Sequence, residues 1–196
     1  MKLNPAKTLL ALFVLTTAAF AADQFQIDPV HSSANFTVRH MMISNVNGRF
    51  TDISGTITYD DADVTKSSVT AVIKTASVNT DNSGRDKDLR SARFFDVDKY
   101  PEMTFNSKRI EKRGGQLVAI GTLTIKNVSK EVEVPFEISK GKTPMGVRVG
   151  VSAALKINRQ DFGVSFNATL DGGGLVVSDD VKIELNVEGV IPQLKK

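Results

Sequence analysis

The stretch Val181–Glu188, VKIELNVE, decides the fold class. Val181, Ile183, Leu185 and Val187 fall on one face of an extended chain, and Lys182, Glu184, Asn186 and Glu188 on the other. One apolar and one wet face describe an antiparallel strand, because parallel strands are covered on both faces and read as unbroken apolar runs. Outward from this stretch the same period recurs. Val147, Val149, Val151, Ala153, Leu155 and Ile157 form a second stripe, and Val132, Val134, Phe136 and Ile138 a third, opposite Glu131, Glu133 and Glu137. Ala34, Phe36 and Val38 alternate with Asn35, Thr37 and Arg39, and Ile53, Ile57 and Tyr59 with Ser54, Thr56 and Thr58.

Turn signals separate these runs at Asp60–Asp63, Gly114-Gly115, Lys126-Asn127, Gly141–Pro144 and Asp171–Gly174. Gly48, Gly55, Gly121 and Gly150 lie inside strands, where glycine marks a bulge or a sharp bend. Long strands bent in this way curve and close, so the expectation is a mainly β protein, a single antiparallel barrel rather than a flat sandwich. One segment interrupts the pattern. Ser83-x-x-Asp86 has the form of a capping box, Leu89, Ala92 and Arg93 follow at helical spacing, and Pro101 is a stop. This predicts one short helix of about three turns near 83–92.

The chain has 196 residues, 41% hydrophobic and 24% charged, which suits one globular domain. Met1–Ala22 carries Lys2 and Lys7, a 14-residue apolar run from Leu9, and Ala19 and Ala21 in an A-x-A arrangement. That is the layout of a secretory signal peptide over 1–21, with the run too short for a helix spanning a bilayer, which needs about 20 residues. The domain then covers 22–196, with no transmembrane segment after cleavage. Removing two Lys leaves 23 basic against 22 acidic residues, so the charge excess of +3 falls to +1.

Reactive chemistry is sparse. With no Cys there is no disulfide, thiolate metal site or cysteine nucleophile, and His31 and His40 are the whole histidine complement. Gly150–Ala154 and Gly163–Asn167 both lack the final Gly of a G-x-S-x-G elbow, and Gly141-Lys142-Thr143 lacks the upstream Gly of a phosphate-binding loop. Basic and acidic residues alternate through Arg85–Arg113, which gives no stripe for nucleic acid. No metal, catalytic residue or resident cofactor is expected.

Phe36–Phe50, FTVRHMMISNVNGRF, together with GTITYD at Gly55–Asp60, RDKDLRS at Arg85–Ser91, FFDV at Phe94–Val97, GTLTIKNV at Gly121–Val128 and RQDFG at Arg159–Gly163, resembles the YceI-like family of exported, lipocalin-like polyisoprenoid-binding proteins. The resemblance spans essentially the whole chain after the signal. Asp88 stands where that family usually has His, Arg93 where an acidic residue is common, and Asn127 where Gly is usual. The resemblance implies an extended eight-stranded antiparallel barrel with a helix against it and an amphiphile's tail inside. Periodicity alone favours a filled core, and the resemblance turns the reading towards a tunnel.

On that basis the expected tunnel residues are Phe36, Val38, Met41, Met42, Ile43, Phe50, Ile57, Leu89, Phe94, Phe95, Phe105, Phe136, Leu155 and Phe162. The expected headgroup donors are Arg39, His40, Arg85 and Arg90, although the residues alone favour a solvated Arg39, and Arg85 and Arg90 can pair with nearby Asp. The function this implies is non-catalytic binding, transport or sequestration of a long amphiphilic lipid in the periplasm or outside the cell. The alternatives are an enzyme or enzyme accessory acting on isoprenoid lipids, and a filled-barrel interaction module, with a homodimer through an exposed edge or apolar patch.

Overall fold

A computed structural model describes residues 22–169 and 175–192. The expected signal peptide and the Asp171–Gly174 turn lie outside the described residues. The strands are β1 (Asp23–Ile27), β2 (Ser33–His40), β3 (Ser44–Phe50), β4 (Ile53–Tyr59), β5 (Ser68–Lys74), β6 (Val78–Asn79), β7 (Glu102–Arg113), β8 (Gln116–Ile125), β9 (Val128–Thr143), β10 (Gly146–Asn158) and β11 (Val177–Val190), with one α-helix, α1 (Ser83–Arg90).

Eleven strands occupy eight positions of one closed antiparallel barrel. β1 and β2 are two halves of one strand position, because both pair with β11: Ile27 with Gly189, and Ala34 with Leu185. β3 and β4 share the next position, pairing with β2 and β1 respectively, and β5 and β6 the third. The three neighbouring positions break at one level, around Asp28–Ser32, Thr51-Asp52 and Thr75–Ser77. From β7 to β11 the strands are long; tight turns join β7 to β8, β8 to β9 and β9 to β10, and a longer segment after Asn158 leads into β11. β11 then closes the ring on β1 and β2. Among the described residues no helix is long and apolar enough to cross a membrane.

Three local expectations need correction. The helix has 8 residues and is capped by Asn82, not Ser83; the Asn82 side chain accepts from the Arg85 N–H. Ser91 caps its other end, ten residues before Pro101 could act. Gly141–Thr143 continue β9, and the turn falls at Pro144-Met145. Register shifts occur at Ser107/Arg109, where Ser107 pairs with Gly121, and at Val177/Val181, away from Gly48, Gly55 and Gly150. Gly48 and Gly121 also leave room for neighbours: a Cβ on Gly48 would lie 2.3 Å from Phe36 Cζ, and one on Gly121 2.5 Å from Asn106 O and 2.7 Å from Phe105 Cζ. Pro135 sits inside β9, and the β9–β10 ladder stops beside it at Phe136, as a residue without an N–H requires.

The two ends of the barrel differ. One is stoppered: Phe25 and Val149, both 0% exposed, fill it against Gly189. Lys140 lies over the Phe25 and Tyr59 rings and donates to Asp23 (2.7 Å) and Asp61. Those carboxylates hold the Lys140 ammonium above the ordinary lysine pKa. The other end carries the 41–43 turn, α1, the 126–127 turn and the irregular segment after Asn158.

Candidate functional site: an apolar cavity with one polar end

Between these ends the barrel encloses a cavity of about 570 Å³. Inward stripes of nearly every strand line it, including Ala34, Val38 and Val46 at one side and Val134, Ala153 and Ile183 at the other. The alternation seen in the sequence produces this wall directly, since every second residue of a barrel strand points inward. A void of this size makes the interior hollow rather than filled.

Of the expected tunnel residues, Phe36, Val38, Phe50, Ile57, Leu89, Phe94, Phe95, Phe105, Phe136, Leu155 and Phe162 face the cavity. Phe36, Phe50 and Phe95 form a chain of rings, with centroids 5.7 and 5.5 Å apart. Met41, Met42 and Ile43 do not belong to the wall. They form the turn between β2 and β3 and are 42%, 55% and 79% exposed. Strand parity cannot be carried through that turn, where Met41 and Met42 both take the left-handed conformation.

The expected headgroup donors separate in the same way. His40 and Arg85 face the cavity. Arg39 points away and donates to Asn45 Oδ1 (3.1 Å), Met42 O (2.9 Å) and Ile43 O (3.1 Å), bracing the turn. Arg90 donates to Ala76 O and Val78 O (2.8 and 2.6 Å), tying α1 to β6. Arg85 and Arg90 lie on one helix, and only the docking of that helix decides which one reaches the interior.

Polar groups gather at the end covered by α1. Thr80 donates its N–H and hydroxyl to the buried Asp86 Oδ1 (2.8 and 2.6 Å) and accepts from Arg85 Nε at 2.8 Å. Asp88, one turn after Arg85, accepts from Arg93 at 3.1 Å, and the Arg93 guanidinium stacks 4.6 Å over Phe166. Thus two of the three positions expected to depart from the family pattern, Asp88 and Arg93, pair with each other. Arg159, missed by sequence reasoning, also lines this end; it is buried and donates to the carbonyls of Val164, Val177 and Ser178 and to Asp179. Burial pulls its pKa below the usual arginine value. Its place in RQDFG was the available signal. Outside the barrel, Asp28, His31 and Glu188 converge closely enough to suggest a cation site. Arg148 already fills it, donating to Asp28 at 3.3 Å and Glu188 at 2.6 Å, so the positive charge is supplied by the protein.

Comparison with known proteins agrees with this architecture. Residues 25–189 match the YceI-like domain family. Protein YceI of Salmonella newport is 37% identical over 194 residues, covering 97% of this chain and 98% of its own. The crystal structure of the Campylobacter jejuni YCEI protein superposes with a TM-score of 0.67 at 32% identity, over 97% of this chain and 100% of that one. A polyisoprenoid binding domain from Saccharophagus degradans shares the fold, with a TM-score of 0.66 at 16% identity over 87% of this chain and 99% of that one.

Proposed function

The chain belongs to the YceI-like family, and from that premise we propose that it is a non-catalytic carrier of a long amphiphilic lipid, exported to the periplasm. The supporting observation is the cavity: about 570 Å³, apolar over most of its wall, with its charged lining residues Arg85, Asp88 and Arg159 grouped at the end covered by α1. That size falls within the range of about 300–1,000 Å³ typical of small-molecule sites. Burial of a polyisoprenoid, isoprenoid quinone or fatty chain would contribute about 0.8 kcal/mol per CH₂ group, so affinity needs few polar contacts. The headgroup would lie against His40, Arg85 and Asp88. Family membership supports lipid binding, and the fold neighbour described as a polyisoprenoid binding domain has the same barrel.

The charged side chains Arg85, Asp88 and Arg159 around the cavity are committed to the fold: Arg85 to Thr80, Asp88 to Arg93, Arg159 to main-chain carbonyls. That supports holding a ligand rather than transforming it. Native mass spectrometry of the protein purified from its producing cells tests the reading. A bound hydrophobe, released unchanged by organic extraction, is expected. A protein that arrives empty and takes up neither isoprenoid nor fatty-acid probes overturns it, and turnover of the added lipid would make it an enzyme.

A further inference from the structure

Among the described residues, paired left-handed residues occur at Gly114-Gly115 and at two turns without glycine, and these two differ in chemistry. Lys126-Asn127 (φ 49° and 59°) is polar, as a solvent-facing turn of this geometry should be. Met41-Met42 has the same angles, 49° and 59°, yet carries two long apolar side chains followed by Ile43. Left-handed backbone is disfavoured for such residues, and Asn-Gly would relieve it. Met41, Met42 and Ile43 are nonetheless held out into solvent, 42%, 55% and 79% exposed.

Four backbone groups of this tip are satisfied from within. Met41 N–H donates to Val176 O (2.8 Å) and Ile43 N–H to His40 O (3.0 Å), while Arg39 donates to Met42 O and Ile43 O. A protein partner could supply hydrogen bonds to an open turn. Acyl chains cannot, so a turn that enters lipid must bring its own. The tip also adjoins the cavity: His40, which precedes it, and Val176, which accepts from Met41, both line the interior.

We infer that the Met41-Met42-Ile43 tip docks the open end of the barrel into the apolar layer of a lipid bilayer. It serves there as the contact across which an apolar ligand passes between membrane and cavity. The docking stands on the tip alone; its role in ligand passage rests on the carrier reading above. An uncharged bilayer suffices, because Arg39 spends its charge on the turn's own carbonyls.

The test uses phosphatidylcholine vesicles and the variant M41N/M42G/I43S, whose Asn-Gly suits the turn geometry and preserves folding. Wild-type protein should float with the vesicles, and the variant's partition coefficient should fall at least about tenfold. M41L/M42L should behave as wild type. Loading with a fluorescent isoprenoid delivered from detergent, measured on the same samples, should be equal in all three, while transfer from protein to vesicles slows in the polar variant. Wild-type protein that loads the probe but never floats overturns the docking and leaves the carrier reading intact. Protein that floats but takes no probe sinks the carrier reading and leaves the docking standing. Self-association in gel filtration that the polar variant abolishes, with no flotation of wild type, would make the tip an interface between copies and overturn the inference.

Discussion

Gly48 on β3 and Phe36 on β2 share one volume: the Phe36 ring occupies the place where a side chain at Gly48 would begin, with Cζ 2.3 Å from a Cβ built there. The two nearest obstructing atoms are the far end of a ring that borders the cavity, and the third is the Thr80 methyl at 2.8 Å. Gly48→Ala should therefore push the ring into the cavity rather than distort the strand. We expect a stability change within about 1 kcal/mol, since Ala loses less entropy than Gly in a strand and offsets part of the displacement. Binding of an isoprenoid probe should weaken several-fold. Titration and thermal unfolding on the same variant separate the two effects, and unchanged binding would place Phe36 outside the ligand path.

Gly189 has the opposite surroundings. A Cβ there would meet Val149 Cγ1 at 2.7 Å and Phe25 Cβ at 2.9 Å, in the stoppered end where nothing can yield. Gly189→Ala should cost about 1–3 kcal/mol, the usual penalty for overpacking a filled core. Probe affinity of the folded fraction should not change. Urea denaturation measures the loss, and a neutral outcome would mean that the stopper is looser than its burial implies.

This contrast shows what was legible in the sequence and what was not. Period-two alternation in β9, β10 and β11 identifies which residues share a face, and it carried the barrel. It cannot say whether opposite walls touch. Phe25 and Val149 meet and close one end, whereas Phe36, Phe105 and Leu155 stand apart around a void, yet all five obey the same alternation. Faces are lost wherever the backbone leaves the extended region. Met41–Ile43 therefore left the wall, and Arg39 was drawn to the turn's carbonyls instead of the mouth. On α1 the spacing identified a helix, but its cap lay one residue earlier than Ser83, and its docking chose Arg85 over Arg90 for the interior. Long-range partners such as Arg93 and Phe166 have no local signature at all.

The Asp88–Arg93 pair, with Arg93 stacked on Phe166, joins α1 to the segment that covers the polar end of the cavity. Both side chains are largely solvated, so the pair is worth at most about 1 kcal/mol to stability. Its effect should be kinetic. Arg93→Ala removes the ion pair and the stacked guanidinium together and should speed release of a bound fluorescent lipid about three- to tenfold. Stopped-flow transfer to acceptor vesicles gives the rate, and thermal unfolding should show a near-neutral melting temperature. An unaltered release rate would mean that ligand leaves by another route.

On the outer wall, Glu111 on β7 accepts from both Arg109 and Arg113 at 2.8 Å, and Arg113 also donates to Glu133 on β9 at 2.8 Å. Beneath this lattice Val118 and Ile120 of β8 are buried, although they lie between cavity-facing residues in the alternation. Hydrogen bonds from Arg109 and then Arg113 hold the Glu111 carboxyl below its ordinary value, and Lys108 does the same for Glu131. A carboxyl with a depressed folded pKa contributes stability above its unfolded pKa of about 4.5, and that contribution is lost as pH falls through the lower folded value. The urea midpoint should therefore fall as pH drops below about 4.5. Arg113→Gln should flatten that slope by freeing Glu111 from one partner. It should also uncover Ile120, so the variant should bind more of a hydrophobic dye at neutral pH. If the acid slope is unchanged, the lattice is decoration and the acid sensitivity belongs to another carboxylate, with Asp28, held low chiefly by the His31 hydrogen bond, the next to replace.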